Sequence, residues 1–221
     1  MHYIPKIQLS PLEKDLVINT EWILAKHEVV KKVYEIFGAL QPIFKQEISQ
    51  HRYLFEGNIL QSAKITKGEN YQQLPYVILD YPAIWKEDIL AVRTMFWWGN
   101  FFSITLQLSG ENKKRFTVNT QEGLRFLQTN NFFICVNEDE WQHHYNADNY
   151  ITATSISNAA LQKIKAKEFF KISKKISLEE WENAPEFIVN SFREIMDFLQ
   201  INYQDGKKDL LPVFPKAGSG L

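Results

Sequence analysis

The sequence predicts an α+β fold, an antiparallel meander sheet covered on one face by N-terminal and C-terminal helices. Three observations carry that expectation. Apolar residues recur at helical spacing at both ends of the chain, short β-rich runs fill the middle, and Gly, Asn and Pro punctuate those runs. Helices first, strands next and helices last place the helices together on one sheet face. At 221 residues, 45% of them apolar and 23% charged, the chain has length for one sizeable core. Residues 1–204 are expected to form a single domain. The stretch 205–221, with three Gly and two Pro and no periodicity, reads as a loose tail.

The first helix is announced by Ser10-Pro11-Leu12-Glu13, a capping Ser, a Pro at the first helical position and a Glu three residues past the cap. Ile23, Val30, Val33 and Phe37 then recur at helical spacing, and Gly38 is expected to end that helix. Pro42 should open a second one, "PIFKQEISQHRYLF", closed by Gly57-Asn58. Strands are expected in "QSAKIT", "PYVILDY", "DILAVRTMFWW" and "FFSITLQLS". Asn119 with Glu122 resembles another capping box, for a short helix through Leu124 and Leu127. "NFFICV" and "DNYITATSI" return to strand, and Asn158 to Glu168 reads as helix. Ser177-Leu178-Glu179-Glu180 caps the last helical region, interrupted at Pro185 and ending near Leu199.

"RTMFWWGNFFS" is the most informative stretch. Read as a two-residue turn, Gly99-Asn100 pairs Trp98 with Phe101, Phe96 with Ser103 and Arg93 with Leu106. That register sends Phe96, Trp98 and Phe101 to a half-solvated face shared with Ser103 and Thr105. A helix or the tail covering those rings is the simpler reading, and an interface between copies or a ligand groove the sharper one. The same register turns Arg93 and Trp97 toward the core. A guanidinium there needs an acid, and Asp80, which shares one side of its strand with Tyr76 and Ile78, is the expected partner. A structural ion pair is the simpler role. The functional one has Arg93 holding a carboxylate or phosphate, with Asp80, Tyr76 and Trp97 lining the site.

Other stretches point to no chemistry. "NEDEWQHHYNAD" gathers Glu138, Asp139, Glu140, His143, His144 and Asp148, but its spacing completes no facial metal site, so a solvated loop is expected and no metal. Cys135, alone in "FFICV", reads as an inert buried thiol. Lys163, Lys165, Lys167, Lys171, Lys174 and Lys175 are diluted by Glu168, Glu179 and Glu180, and the formal charge is -1, so no nucleic-acid partner is expected. No Walker loop, dinucleotide glycine motif or G-x-S-x-G occurs, and no cofactor is expected. The N-terminus lacks a signal-peptide pattern and no apolar run reaches membrane-span length, so no membrane partner is expected and a cytoplasmic location is.

From Lys167 to Leu199, "KEFFKISKKISLEEWENAPEFIVNSFREIMDFL" combines an aromatic-containing strand, a Leu before an acidic stretch, a Pro followed by Phe and an amphipathic helix. In this it resembles the C-terminal end of an uncharacterised bacterial domain-of-unknown-function family, a resemblance that implies no activity. The functional expectation is a non-enzymatic binding or self-association module using the aromatic hairpin face, hence a homo-oligomer. The alternative is a binder of a small anionic ligand, or an enzyme, built around Arg93.

Overall fold

A computed structural model describes residues 7–55, 62–86, 88–116 and 121–203. The capping box forms as expected and starts α1 (Pro11–Ile18), with Ser10 Oγ accepting from Glu13 N at 3.3 Å and Ser10 N donating to Glu13 Oε2 at 2.6 Å. Asn19 caps the next helix by accepting from Glu21 N at 3.1 Å. That helix, α2 (Thr20–Gln50), does not stop at Gly38, nor does Pro42 open a new one. Pro42 lacks only the N–H that would bond the Gly38 carbonyl four residues back, and its ring meets that carbonyl at a residue with no side chain. The buried stripe of Val33, Phe37, Leu40, Phe44 and Ile48 runs unbroken across both positions, and its packing outweighs the lost bond. Gly57-Asn58, Asn119 and the stretch 205–221 lie outside the described residues.

Seven strands form one antiparallel sheet: β1 (Lys64–Tyr71), β2 (Leu74–Ile84), β3 (Leu90–Trp97), β4 (Phe101–Ser109), β5 (Phe133–Cys135), β6 (Tyr150–Thr152) and β7 (Phe169–Ser177), in the order β1-β2-β3-β4-β7-β5-β6. The first four make the expected meander. Between the strands come α3 (Gly110–Phe116), α4 (Gln121–Thr129) and α5 (Asn158–Ala166). Ser177 accepts from Glu179 N at 3.2 Å and opens a 3-10 stretch (Leu178–Asn183), which passes into α6 (Ala184–Asn202). Pro185 sits in the first turn of α6, where its missing N–H costs nothing, so it starts the α-helix rather than interrupting it.

The helices α2 and α6 lie on one sheet face. Phe44 stacks on Phe192 with ring centroids 3.8 Å apart, and Phe37 meets Phe102 edge-on at 6.4 Å. Val77, Leu79, Val92, Phe96, Ile104 and Leu106 supply the sheet side of this core.

The β3–β4 connection corrects the expected register. Trp97, not Trp98, pairs with Phe101, so the loop is three residues long, Trp98-Gly99-Asn100, with Gly99 at φ +72° and Asn100 N bonded to Trp97 O at 3.0 Å. One residue of slip exchanges the partners of a whole strand. Arg93 faces Thr105 and Val92 faces Leu106. The apolar positions of β3 and β4 therefore meet on the helix-covered face, and Ser103, Thr105 and Gln107 join Arg93 on the other. Burial decides the matter, because the two-residue turn would have set four large apolar side chains of β4 against the arginine side of β3.

Candidate functional site

The second sheet face is polar at its centre and aromatic at its ends. Register alone builds a row across it: Asp80 pairs with Arg93, Arg93 with Thr105, Thr105 with Ser173 and Ser173 with Phe133. One step along, Gln107 pairs with Lys171. Over this row lies the segment 137–149, the expected solvated loop, which is instead folded down onto the sheet and contributes buried groups.

Arg93 and Asp80 form the expected pair, bidentate, with Nε to Oδ1 at 2.8 Å and Nη2 to Oδ2 at 2.9 Å. The third nitrogen, Nη1, reaches His143 Nε2 at 3.5 Å. Because a guanidinium only donates, that contact requires a neutral imidazole with its proton on Nδ1. Burial, with the Lys171 and Arg93 charges beside it, holds His143 well below the ordinary histidine value. The Arg93 plane lies 4.7 Å from the Trp85 ring, which in turn contacts Trp141 at 5.9 Å. Every nitrogen and one face of Arg93 thus already have partners.

Lys171 is 1% exposed. It donates to the carbonyls of Glu140 at 2.7 Å and Gln142 at 2.6 Å, and Gln107 Nε2 donates to Glu140 Oε2 at 2.6 Å. Burial, the main cause, brings its pKa down to about 8. Ser173 donates to Ile104 O at 3.0 Å and bonds the Thr105 hydroxyl at 2.7 Å and the Tyr145 hydroxyl. Tyr71, at the β1–β2 turn, accepts from the backbone N–H groups of His143 at 2.7 Å and His144 at 3.1 Å. Strands β1, β3, β4 and β7 therefore each hold the covering segment by at least one polar group, and the network acts as its anchor.

Tyr76 and Trp97, expected to line a ligand site, share this face but sit two register steps from the Asp80–Arg93 pair. Tyr76 and Trp97 are paired on β2 and β3, Trp97 packs edge-on against Tyr71 at 4.9 Å and Phe101 at 5.3 Å, and the Tyr76 ring lies across Gly68. Burial pushes the Cys135 thiol up, and it contacts Asn149 Oδ1 at 3.5 Å. His144 Nδ1 is 4.0 Å from Asp148. Among the described residues no group of three or more His, Cys, Asp or Glu side chains is placed to hold a metal. The lysines do not share one surface, since Lys171 and Lys175 point to the polar face while Lys174 reaches Glu194 of α6 at 2.6 Å.

The rings expected on a solvated hairpin face are not there. Phe96 is 2% exposed and packs on Phe102 at 5.1 Å under the helices, whereas Phe101 is 7% exposed on the opposite face against Tyr145. Only Trp98 is partly open, beside α2.

A different exposed apolar surface stands at the N-terminus. Ile7, Leu9, Leu12, Leu16, Val17 and Ile18, followed by Trp22, Ile23 and Leu24, are exposed, with Val17 at 70% and Trp22 at 64%. The cause is length. A 31-residue helix spans about 46 Å, while its buried stripe from Val33 to Ile48 spans about 23 Å, so the first turns of α2, with α1 on their end, overhang the sheet. This arm was legible as helix but not as exposed.

No known protein family, curated protein or solved structure matches the chain. Among the described residues no helix is long and apolar enough to cross a membrane.

Proposed function

We propose that this protein is a non-enzymatic self-association module, in which a rigid α+β body presents the N-terminal helical arm to a second copy. The observation that carries the reading is the arm's nine exposed large apolar side chains. Each leaves on the order of 100 Å² open, so together they offer roughly 1,000 Å² per chain, against the ~800 Å² per partner of a standard stable interface. Single exposed apolar residues are ordinary on a monomer, but nine large ones within one short arm mark a contact surface. A helix apolar around most of its circumference, as Trp22-Ile23-Leu24 makes α2 at its start, is one that other protein surrounds.

Charge favours protein over lipid as the cover. From Ile7 to Glu28 the arm carries Glu13, Asp15, Glu21 and Glu28 against Lys14 and Lys26, four acids and two bases for a net of -2, where an anionic bilayer would select lysines and arginines. The polar sheet face supports a structural role instead, because its cations and acids satisfy one another and the covering segment. The experiment is sedimentation equilibrium on the wild-type chain and on Leu16→Ser/Val17→Ser/Trp22→Ser. The wild type should fit a reversible dimer and the variant a monomer with unchanged circular dichroism. A monomeric wild type up to its solubility limit would dispose of the reading.

A further inference from the structure

Where α2 leaves the sheet, at the root of the arm, it stands off β1 and β2 and leaves a cleft of about 310 Å³. Its floor is apolar, with Val30, Val77, Phe96 and Trp98. A second hollow on the arm side of Trp98 continues along Trp22, Ala25 and Val29. The rim is basic. Among the described residues Lys26, Lys31 and Lys67 line the cleft with one carboxylate, Glu69, which Lys26 at 3.5 Å and Lys67 at 3.9 Å share, a net of +2 with His27 neutral, while Glu21 lines the second hollow.

The helix α1 has the opposite character. Leu12, Leu16 and Val17 are exposed apolar knobs, and Glu13 and Asp15 outnumber Lys14 beside them. We propose that the cleft receives the exposed apolar side chains of α1 from a second copy, each copy docking its own α1 over the cleft of the other about a twofold axis. The inference rests on the self-association reading and assigns its partner surface. About that axis Glu13 and Asp15 of one copy approach Lys26, Lys31 and Lys67 of the other. The acidic, apolar helix then meets the basic rim and apolar floor, and one arrangement covers both the arm and the cleft.

Charge exchange tests this directly. One variant carries Asp15→Lys/Glu21→Lys and the other Lys31→Glu/Lys67→Glu, leaving the Ser10–Glu13 capping box intact, and circular dichroism confirms that each is folded. Each variant alone should self-associate about tenfold more weakly than the wild type, and an equimolar mixture should recover wild-type affinity as a heterodimer, because every altered arm then faces an oppositely altered cleft. A wild-type dimer whose affinity neither variant changes, or a mixture that fails to recover, overturns the cleft assignment and leaves self-association standing. A monomeric wild type removes both. Co-sedimentation of that monomer with phosphatidylcholine–phosphatidylserine vesicles would overturn the proposal and give the arm to a lipid surface.

Discussion

From Val33 to Ile48, α2 buries five large apolar side chains against α6 and the sheet, whereas from Trp22 to Leu24 the same helix leaves three bare. The side chains are of one kind in both halves. What differs is the reach of the body beneath them, which ends where the sheet and α6 end. The outer half stays helical because it extends a helix already nucleated and paid for inside the core, so its own helicity needs no tertiary cover. Its apolar character does need one, and that is the reason for placing the partner surface at this end of the molecule. The polar sheet face sharpens the contrast, since there an irregular segment with few apolar residues is held down by hydrogen bonds and a few ring contacts such as Phe101 on Tyr145.

Changes in the buried half should be the most damaging. Phe44→Ala removes the ring stacked on Phe192 in a fully packed site and should cost about 3–5 kcal/mol in denaturant titration, with no effect on association beyond the loss of folded protein. Next comes the polar face. Arg93→Met leaves the Asp80 carboxylate mostly buried and unpaired and should cost roughly 2–3 kcal/mol, a loss that Arg93→Met/Asp80→Leu should largely recover. Stabilisation of the wild-type chain by added phosphate or acetate that Arg93→Met abolishes would instead make Arg93 a ligand-binding residue.

Smaller effects should follow pH. The folded value of His143 lies below its ordinary 6.5, so the unfolded chain takes up the proton first, and the stability this group contributes is present above pH 6.5 and lost as pH falls below it. Lys171 is also depressed, to about 8 from 10.5, so raising pH from about 8 to 10.5 should stabilise the fold. His143→Gln should flatten the first limb and Lys171→Met the second, measured as urea midpoints across pH. Trp85 and Trp141, beside Arg93, give a fluorescence signal for the covering segment in the same titration. The smallest stability change belongs to the arm: Trp22→Ser should move the unfolding free energy of the dilute monomer by less than about 0.5 kcal/mol while weakening association most.

Local signals were readable where chemistry within a few residues decides the outcome. The Ser10–Glu13 box, the four meander strands and the Asp80–Arg93 pair follow from caps and from period-2 alternation. Gly38 and Pro42 misled because the stripe from Val33 to Ile48 is sustained by α6, which lies far along the chain. The hairpin misled by one residue, and with it the exposure of Phe96 and Phe101. The alternation Phe102-Ile104-Leu106-Leu108 against Leu90-Val92-Phe96 carried the better signal. Lys171 and His143 could not be placed from sequence, because they come together only when β7 docks beside β4 and the segment 137–149 folds back over both.

Amide hydrogen exchange of the wild-type chain across a dilution series tests the claim about the arm most directly. Protection of residues 12–29 should rise with protein concentration, in step with the dimer fraction, while the amides of Val33 to Ile48 stay protected throughout. Exchange in 12–29 that is equally fast at every concentration, or already blocked in the most dilute sample by cover from within the same chain, would contradict it.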